Sequence, residues 1–294
     1  MNMVRNADKA GSWYAADPKA LAAEVDECVR CARAEYGAAM DRAEGEPAAI
    51  LVPHAGLFFS GAVAAAGFEL VRERLGSVDT FVVFGACHRA RLREPAIWPE
   101  GSWRTPLGDI EIDAGLAGAL VAGGFGSANP DVHHGDNAIE LQAPFIKRLF
   151  PGAKMVPAAM GFFRDSWKLG ALAAAIAAKR GGTVVAVASC DLTHYGASFG
   201  VMPAGTGRAA LEWTRANDAR LIDAMVNMDL DDIVPTAERD GSACGAGAAA
   251  ASAGWGKVRG CDSGTLLAYT NSYEVMPQGE AEHLVGYAAI SYSS

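Results

Sequence analysis

Three short apolar runs, each followed within a few residues by a histidine, set the terms for this fold. Ala48–Val52 (AAILV) stops at Pro53 and is followed at once by His54. Thr80–Gly85 (TFVVFG) leads into Ala86-Cys87-His88, and Thr183–Ala188 (TVVAVA) leads into Ser189-Cys190-Asp191-Leu192-Thr193-His194. Each run is long enough for one buried strand. Pro53 ends the first because proline has no N–H for a sheet ladder. In an open α/β sheet, ligands bind beyond the carboxyl ends of the strands. If the three runs are parallel neighbours, His54, His88 and His194 converge on one rim.

The stretches between them read as helices and loops. Asp17-Pro18 pairs an N-cap with proline at the first helical position. From Lys19 to about Arg42, Leu21, Val25, Val29 and Ala32 fall on one stripe. Ala62–Leu75, Asp113–Gly123, Asp165–Lys179 and Gly207–Met228 read as further helices. Ile139–Phe150 is helical with a break near Ala143, imposed by Pro144. Asp229–Thr236 reads as a short helical turn, Arg239–Gly247 as a small-residue loop and Ala248–Ala253 as a helix it opens. Lys154–Pro157, Gly264–Asn271 and His283–Tyr292 are strand candidates, and Pro95–Trp98 is another. Strands alternating with helices predict a layered α/β sheet with flanking helices. With no repeat or linker in the way, one domain over residues 1–294 is expected.

Charge narrows the partners. The 294 residues carry a net charge of −9, which argues against a nucleic-acid surface. No apolar stretch reaches membrane-span length. The first residues lack the apolar core of a signal peptide, so a cytoplasmic protein is expected. The six cysteines suit a reducing compartment, free or on metal. Cys28-x-x-Cys31 has no second pair at zinc-site spacing and reads as part of a helix interior.

His54 and His88 form the strongest pair, since imidazole is the commonest protein metal ligand. A third ligand is needed. Cys244, among small residues before an expected helix, is the candidate, because a helix N-terminus favours the ligating thiolate. Asp191 and His194, three apart, suit a general base with an orienting carboxylate, or two ligands to one metal, or a turn cap beside a packed histidine. Glu140 and Gln142, near Asn137, are candidates to line a pocket or to face solvent. His133 and His134 lie in a polar loop and are expected to be exposed, and His283 is expected to be structural.

These segments together resemble the Memo family, known in bacteria and archaea as AmmeMemoRadiSam system protein B. The matching pieces are Ala10-Gly11-Ser12-Trp13-Tyr14, Pro53-His54-Ala55-Gly56 with Ser60-Gly61, Gly85 through His88, and Thr105-Pro106-Leu107-Gly108. Ile139 through Phe145, Ser189 through Gly196, Cys244-Gly245, Ser272 through Met276 and Val285 through Ala288 follow in order. The resemblance implies a fold similar to class III (LigB-like) extradiol dioxygenases. It implies His54, His88 and Cys244 as metal ligands, with Fe(II) first and copper or zinc as alternatives. It also implies His194 as the base-like histidine with Asp191 beside it, and Glu140, Gln142 and Ser60 around the substrate. Many members carry Glu-His-Ser where this chain has Asp136-Asn137-Ala138, so a pocket histidine is missing here.

Three functions compete on this reading. The first is a dioxygenase-like oxidoreductase acting on a small, aromatic or related substrate. The second is a metal-binding protein without turnover, serving metal handling or a pathway with radical-SAM and AMMECR-type partners. The third is a hydrolase with Cys244 as nucleophile and His194 as base, which leaves His54 and His88 without roles. Substrate, metal and oligomeric state stay open.

Overall fold

The computed structural model describes residues 3–294. In chain order its elements are β1 (Val4–Arg5), α1 (Pro18–Arg42), β2 (Pro47–Val52), α2 (Leu57–Leu75), β3 (Thr80–Ala86), β4 (Ala96–Ile97), β5 (Ser102–Trp103) and β6 (Ile110–Glu111). They continue with α3 (Ala114–Ala122), β7 (Ser127–Ala128), α4 (Ala143–Leu149), β8 (Lys154–Met160), α5 (Ser166–Ala178), β9 (Val184–Ser189) and β10 (His194–Tyr195). The last are α6 (Arg208–Val226), α7 (Ile233–Asp240), α8 (Ala246–Val258), β11 (Gly264–Asn271), α9 (Ser272–Val275) and β12 (Leu284–Ser293). A 3₁₀ turn over Glu140–Gln142 precedes α4.

The main sheet has nine strands in the order β10-β12-β2-β9-β3-β8-β4-β7, with β11 also paired to β12. Its centre, β2, β9, β3 and β8, is parallel. Those strands are apolar along nearly their whole length, as burial on both faces requires. Antiparallel β12 lies beside β2, and antiparallel β4 beside β8. A small sheet, β1-β5-β6, carries the N-terminal segment.

Helices flank the sheet. In α8 every residue from Ala246 to Gly256 is buried, which only small side chains and Trp255 permit at this spacing. It packs closely on α5, and a Cβ at Gly170 or Gly254 would overlap the facing backbone at Ala251 or Trp167. In α1, Leu21, Val25, Cys28 and Ala32 are buried, while Val29 is only partly so. Cys28 is a core residue; Cys31 is half-buried beside Glu27.

The α/β layering expected from the sequence is present, and several boundaries differ. Helix α2 begins at Leu57, not Ala62, because Gly56 already turns the chain out of the strand loop. Strand β8 runs on to Met160, held by full pairing with β3. Helix α7 starts at Ile233 and takes in Arg239 and Asp240, which the sequence placed in the loop. Helix α8 extends to Val258, because its glycines meet packed neighbours rather than solvent. His133 is buried, its Nε2 3.0 Å from the Ala96 carbonyl oxygen, so the expected exposure holds only for His134. Among the described residues no helix is long and apolar enough to cross a membrane.

Candidate metal centre

The strand order β2-β9-β3 places three parallel carboxyl ends side by side. His54 leaves the first, His88 the third, and Ser189-Cys190-Asp191 the strand between them. The lead-in to α8 crosses below, and the Cys244 amide donates to the Asp191 carbonyl at 3.2 Å. His54 Nε2 lies 3.2 Å from Cys244 Sγ. Ligand-capable atoms of His54, His88 and Cys244 all lie within 4.8 Å of one another. The two imidazoles meet edge to face with centroids 5.2 Å apart. His54 is fully buried; His88 is open to solvent.

What stands behind each ring decides which atom faces forward. His88 Nδ1 sits 3.1 Å from Asp136 Oδ1, and the His88 amide donates to Asp136 Oδ2 at 2.8 Å. A carboxylate can only accept, so Nδ1 carries the proton and Nε2 is left for a metal. His54 Nδ1 sits 3.1 Å from Ser189 Oγ. That hydroxyl accepts from Gln142 Nε2 at 2.7 Å and donates to the Ala138 carbonyl at 2.5 Å. With its proton committed there, Ser189 accepts from His54 Nδ1–H, and Nε2 again faces Cys244. In the neutral, metal-binding form of each ring these tautomers follow from the hydrogen-bond chain. Two oriented Nε2 atoms and one sulfur fit a metal ion in donor type and in separation.

The protonation states follow from the same contacts. His88 is raised to about 10, chiefly by its Asp136 hydrogen bond and next by Cys244. Burial works against the charged form of His54, yet the Cys244 and Asp191 charges prevail and raise it to about 9. Burial likewise opposes ionised Asp136, but its bonds from His88 and Ala138 hold it down at about 2. The expected lowering of the Cys244 thiol is corrected here. The hydrogen bond with Cys190, followed by burial, pushes it up to about 12, outweighing both histidines. A coordinated cation reverses that balance, because metals deprotonate the thiols they bind.

His194 lies on β10, paired with Val285 of β12. It stands outside the three-residue group. Its Nδ1 is 2.9 Å from the Leu192 carbonyl, which leaves the lone pair on Nε2. Burial lowers its pKa, and His54 and His88 lower it further, so it is neutral at pH 7. The Asp191 carboxylate accepts from the His54 amide at 2.6 Å, and its other oxygen lies 4.0 Å from His54 Nε2.

The other sequence candidates stand behind this group. Ser60 donates to the Ala55 carbonyl and closes the turn after His54. Gln142 also donates to the Pro53 carbonyl at 2.9 Å. Asn137, half-buried, donates to the His54 carbonyl at 3.2 Å. Glu140 is buried against Arg5 at 2.7 Å and accepts from the Tyr14 hydroxyl and the Lys9 amide. Sequence reasoning missed Asp136 and Ser189 as the groups that orient the two histidines, and it missed Arg5. Nothing in their local pattern marks them, because each acts on a residue more than forty positions away.

A cleft of about 480 Å³ opens on Cys244. Its walls come from the loop after β3 (Cys87, Arg91, Leu92), the turn after β8 (Phe162, Phe163) and Glu238 of α7. The volume suits a small molecule.

A family model described as Memo-like protein matches residues 5–291. The MEMO1 family protein of Thermococcus onnurineus (strain NA1) is 32% identical over 304 residues, covering 99% of each chain. That of Methanopyrus kandleri is 30% identical over 299 residues, again covering 99% of each. That of Methanococcoides burtonii is 31% identical over 291 residues, covering 98% of this chain and 99% of its own. The solved structure of an uncharacterized protein from Escherichia coli K12 aligns with a TM-score of 0.47 at 13% identity, covering 83% of this chain and 98% of that one.

Proposed function

This chain belongs to the Memo-like protein family, and we propose that it is a metal-dependent oxidoreductase acting on a small substrate at a mononuclear His54–His88–Cys244 centre. The observation that carries this reading is the convergence of two Nε2 atoms and a thiol, with both Nδ1 atoms engaged behind them. Three protein ligands leave coordination positions open, and the cleft opens on the same thiol.

Fe(II) is the first choice of ion; bound there, it would supply redox chemistry and bring substrate and O₂ together. The chain's own groups do the rest. Asp136 and Ser189 hold the two rings in one orientation. Asp191 places a negative charge 4.0 Å from His54 Nε2, and Asp136 another behind His88, which suits a cationic centre. His194, neutral and with a free Nε2, accepts a proton from a substrate hydroxyl. Phe162 and Phe163 give the cleft wall apolar surface that limits water.

One observation favours a second reading, a protein that binds metal without turnover. A thiolate in place of a carboxylate suits softer ions, copper or zinc. Such a role fits metal handling, or service to a radical-SAM enzyme.

The test is metal content after anaerobic purification, for wild type beside His54→Ala and Cys244→Ala, followed by O₂ uptake with small aromatic substrates. Near-stoichiometric metal, absent in both variants, together with substrate-dependent O₂ consumption supports the first reading. Metal without consumption supports the second. Failure to bind Fe(II), Cu(I) or Zn(II) sinks both.

A further inference from the structure

The loop that delivers His88 also delivers charge. Arg89, Arg91 and Arg93 alternate along it in a chain of net charge −9. All three are exposed, and none takes part in the ion pairs that engage Arg5, Arg72, Arg148 or Arg220. Among the described residues, Arg91 is the one cation lining the cleft that opens on Cys244. An unpaired guanidinium presents a planar fork of donors that matches a carboxylate. The cleft also holds one anion, Glu238, exposed and without an ion-pair partner among the described residues. Leu92, Met160, Phe162 and Phe163 give the same cleft apolar lining.

We propose that this cleft takes a small organic monocarboxylate with an apolar body, its acid group held by Arg91. Resting on the metal reading above, the proposal places the far end of the molecule at Cys244. Glu238 sets the charge limit. It repels a second negative group, so dicarboxylates and dianionic phosphate esters are disfavoured. The arginines after His88 raise the local concentration of anions that the acidic remainder of the surface repels.

Full-length, metal-loaded protein is titrated calorimetrically with benzoate, benzamide and phthalate. Benzoate is expected to bind about tenfold or more tightly than either of the others, since hydrogen bonds to a charged partner carry that much. Arg91→Gln should erase the preference over benzamide and Arg91→Lys keep part of it. Glu238→Gln should bring phthalate close to benzoate. Equal binding of benzoate and benzamide overturns the proposal, as does an undiminished preference in Arg91→Gln. The same titration on His88→Ala separates the two readings. An Arg91-dependent preference that survives there supports the carboxylate site even where metal content rules out the centre.

Discussion

Two polar clusters share one stretch of chain, residues 133–142, and differ in what they leave undone. In the first, Arg5 donates to Glu140, to the carbonyls of Asn6 and His133, and to that of Asp136. Glu140 in turn receives Arg5, the Lys9 amide and the Tyr14 hydroxyl. Both side chains are about 1% exposed. Every strong donor and acceptor there is spent, so the cluster can only hold the N-terminal segment in place. In the second, Asp136 and Ser189 spend the Nδ1 atoms of His88 and His54, while both Nε2 atoms and the Cys244 sulfur face one another. A buried charge pair with all its bonds made is architecture. Two imidazole nitrogens and a thiol converging beside an open cleft are a site.

The sharpest way to break this contrast is to cut the saturated cluster. Arg5→Met leaves Glu140 buried without its cation and should cost about 3–5 kcal/mol, read as a lower urea midpoint with unchanged slope. Loss of metal at undiminished stability would reverse the roles assigned to the two clusters. Next in size, Cys244→Ala should remove tight metal binding while moving the apo unfolding midpoint little, because Cys244 is only partly buried and stands outside the hydrophobic core. Titration with Zn(II) and a competing chelator measures this.

Asp136→Asn lies between the clusters. It keeps the side-chain size but withdraws the carboxylate behind His88, and should weaken metal affinity about 10–100-fold. An unchanged affinity would mean that Asp136 serves only the loop. The pH profile is the next test. His54, His88 and Cys244 are each raised in the apo protein, so the group as a whole carries more protons at neutral pH than its metal-bound form. Metal must displace them, so binding should release more than one proton per ion and strengthen steadily from pH 6 to 8, measurable in buffers of different ionisation enthalpy.

The smallest effect comes from a third buried group. Asp218 accepts from the Thr193 amide at 2.9 Å and from the Tyr269 hydroxyl at 2.7 Å, and burial raises it to about 6. A carboxyl raised in the folded state stabilises most below its unfolded value near 4, and that contribution is lost as pH rises through about 6. Asp218→Asn should flatten the fall in melting temperature between pH 4 and 7. A wild-type curve already flat there would remove Asp218 from the list of stress points.

Much of the candidate site was legible along the chain. His54 and His88 stood out because each follows an apolar run, and the chain has to leave a buried strand at a sheet edge. Cys244 was legible as a thiol among glycines, and its role came from resemblance rather than spacing. The environment of that thiol was misjudged: helix position alone suggests a low pKa, whereas Cys190 and burial decide otherwise. His133 was misjudged for a related reason. A polar loop reads as exposed until another segment, here Trp103 and Arg5, covers it.

The sequence by itself determined the layered α/β class, the central apolar strands and the sheet edge at which the histidines emerge. These are properties of period and of local stops such as Pro53, and they need no distant partner. Only the tertiary structure decided that β9 lies between β2 and β3, which makes neighbours of residues 34 and 190 positions apart. It also decided which nitrogen each imidazole presents, through Asp136 and Ser189. Hydrogen bonding in a folded interior depends on what is near in space, and chain order carries no record of that.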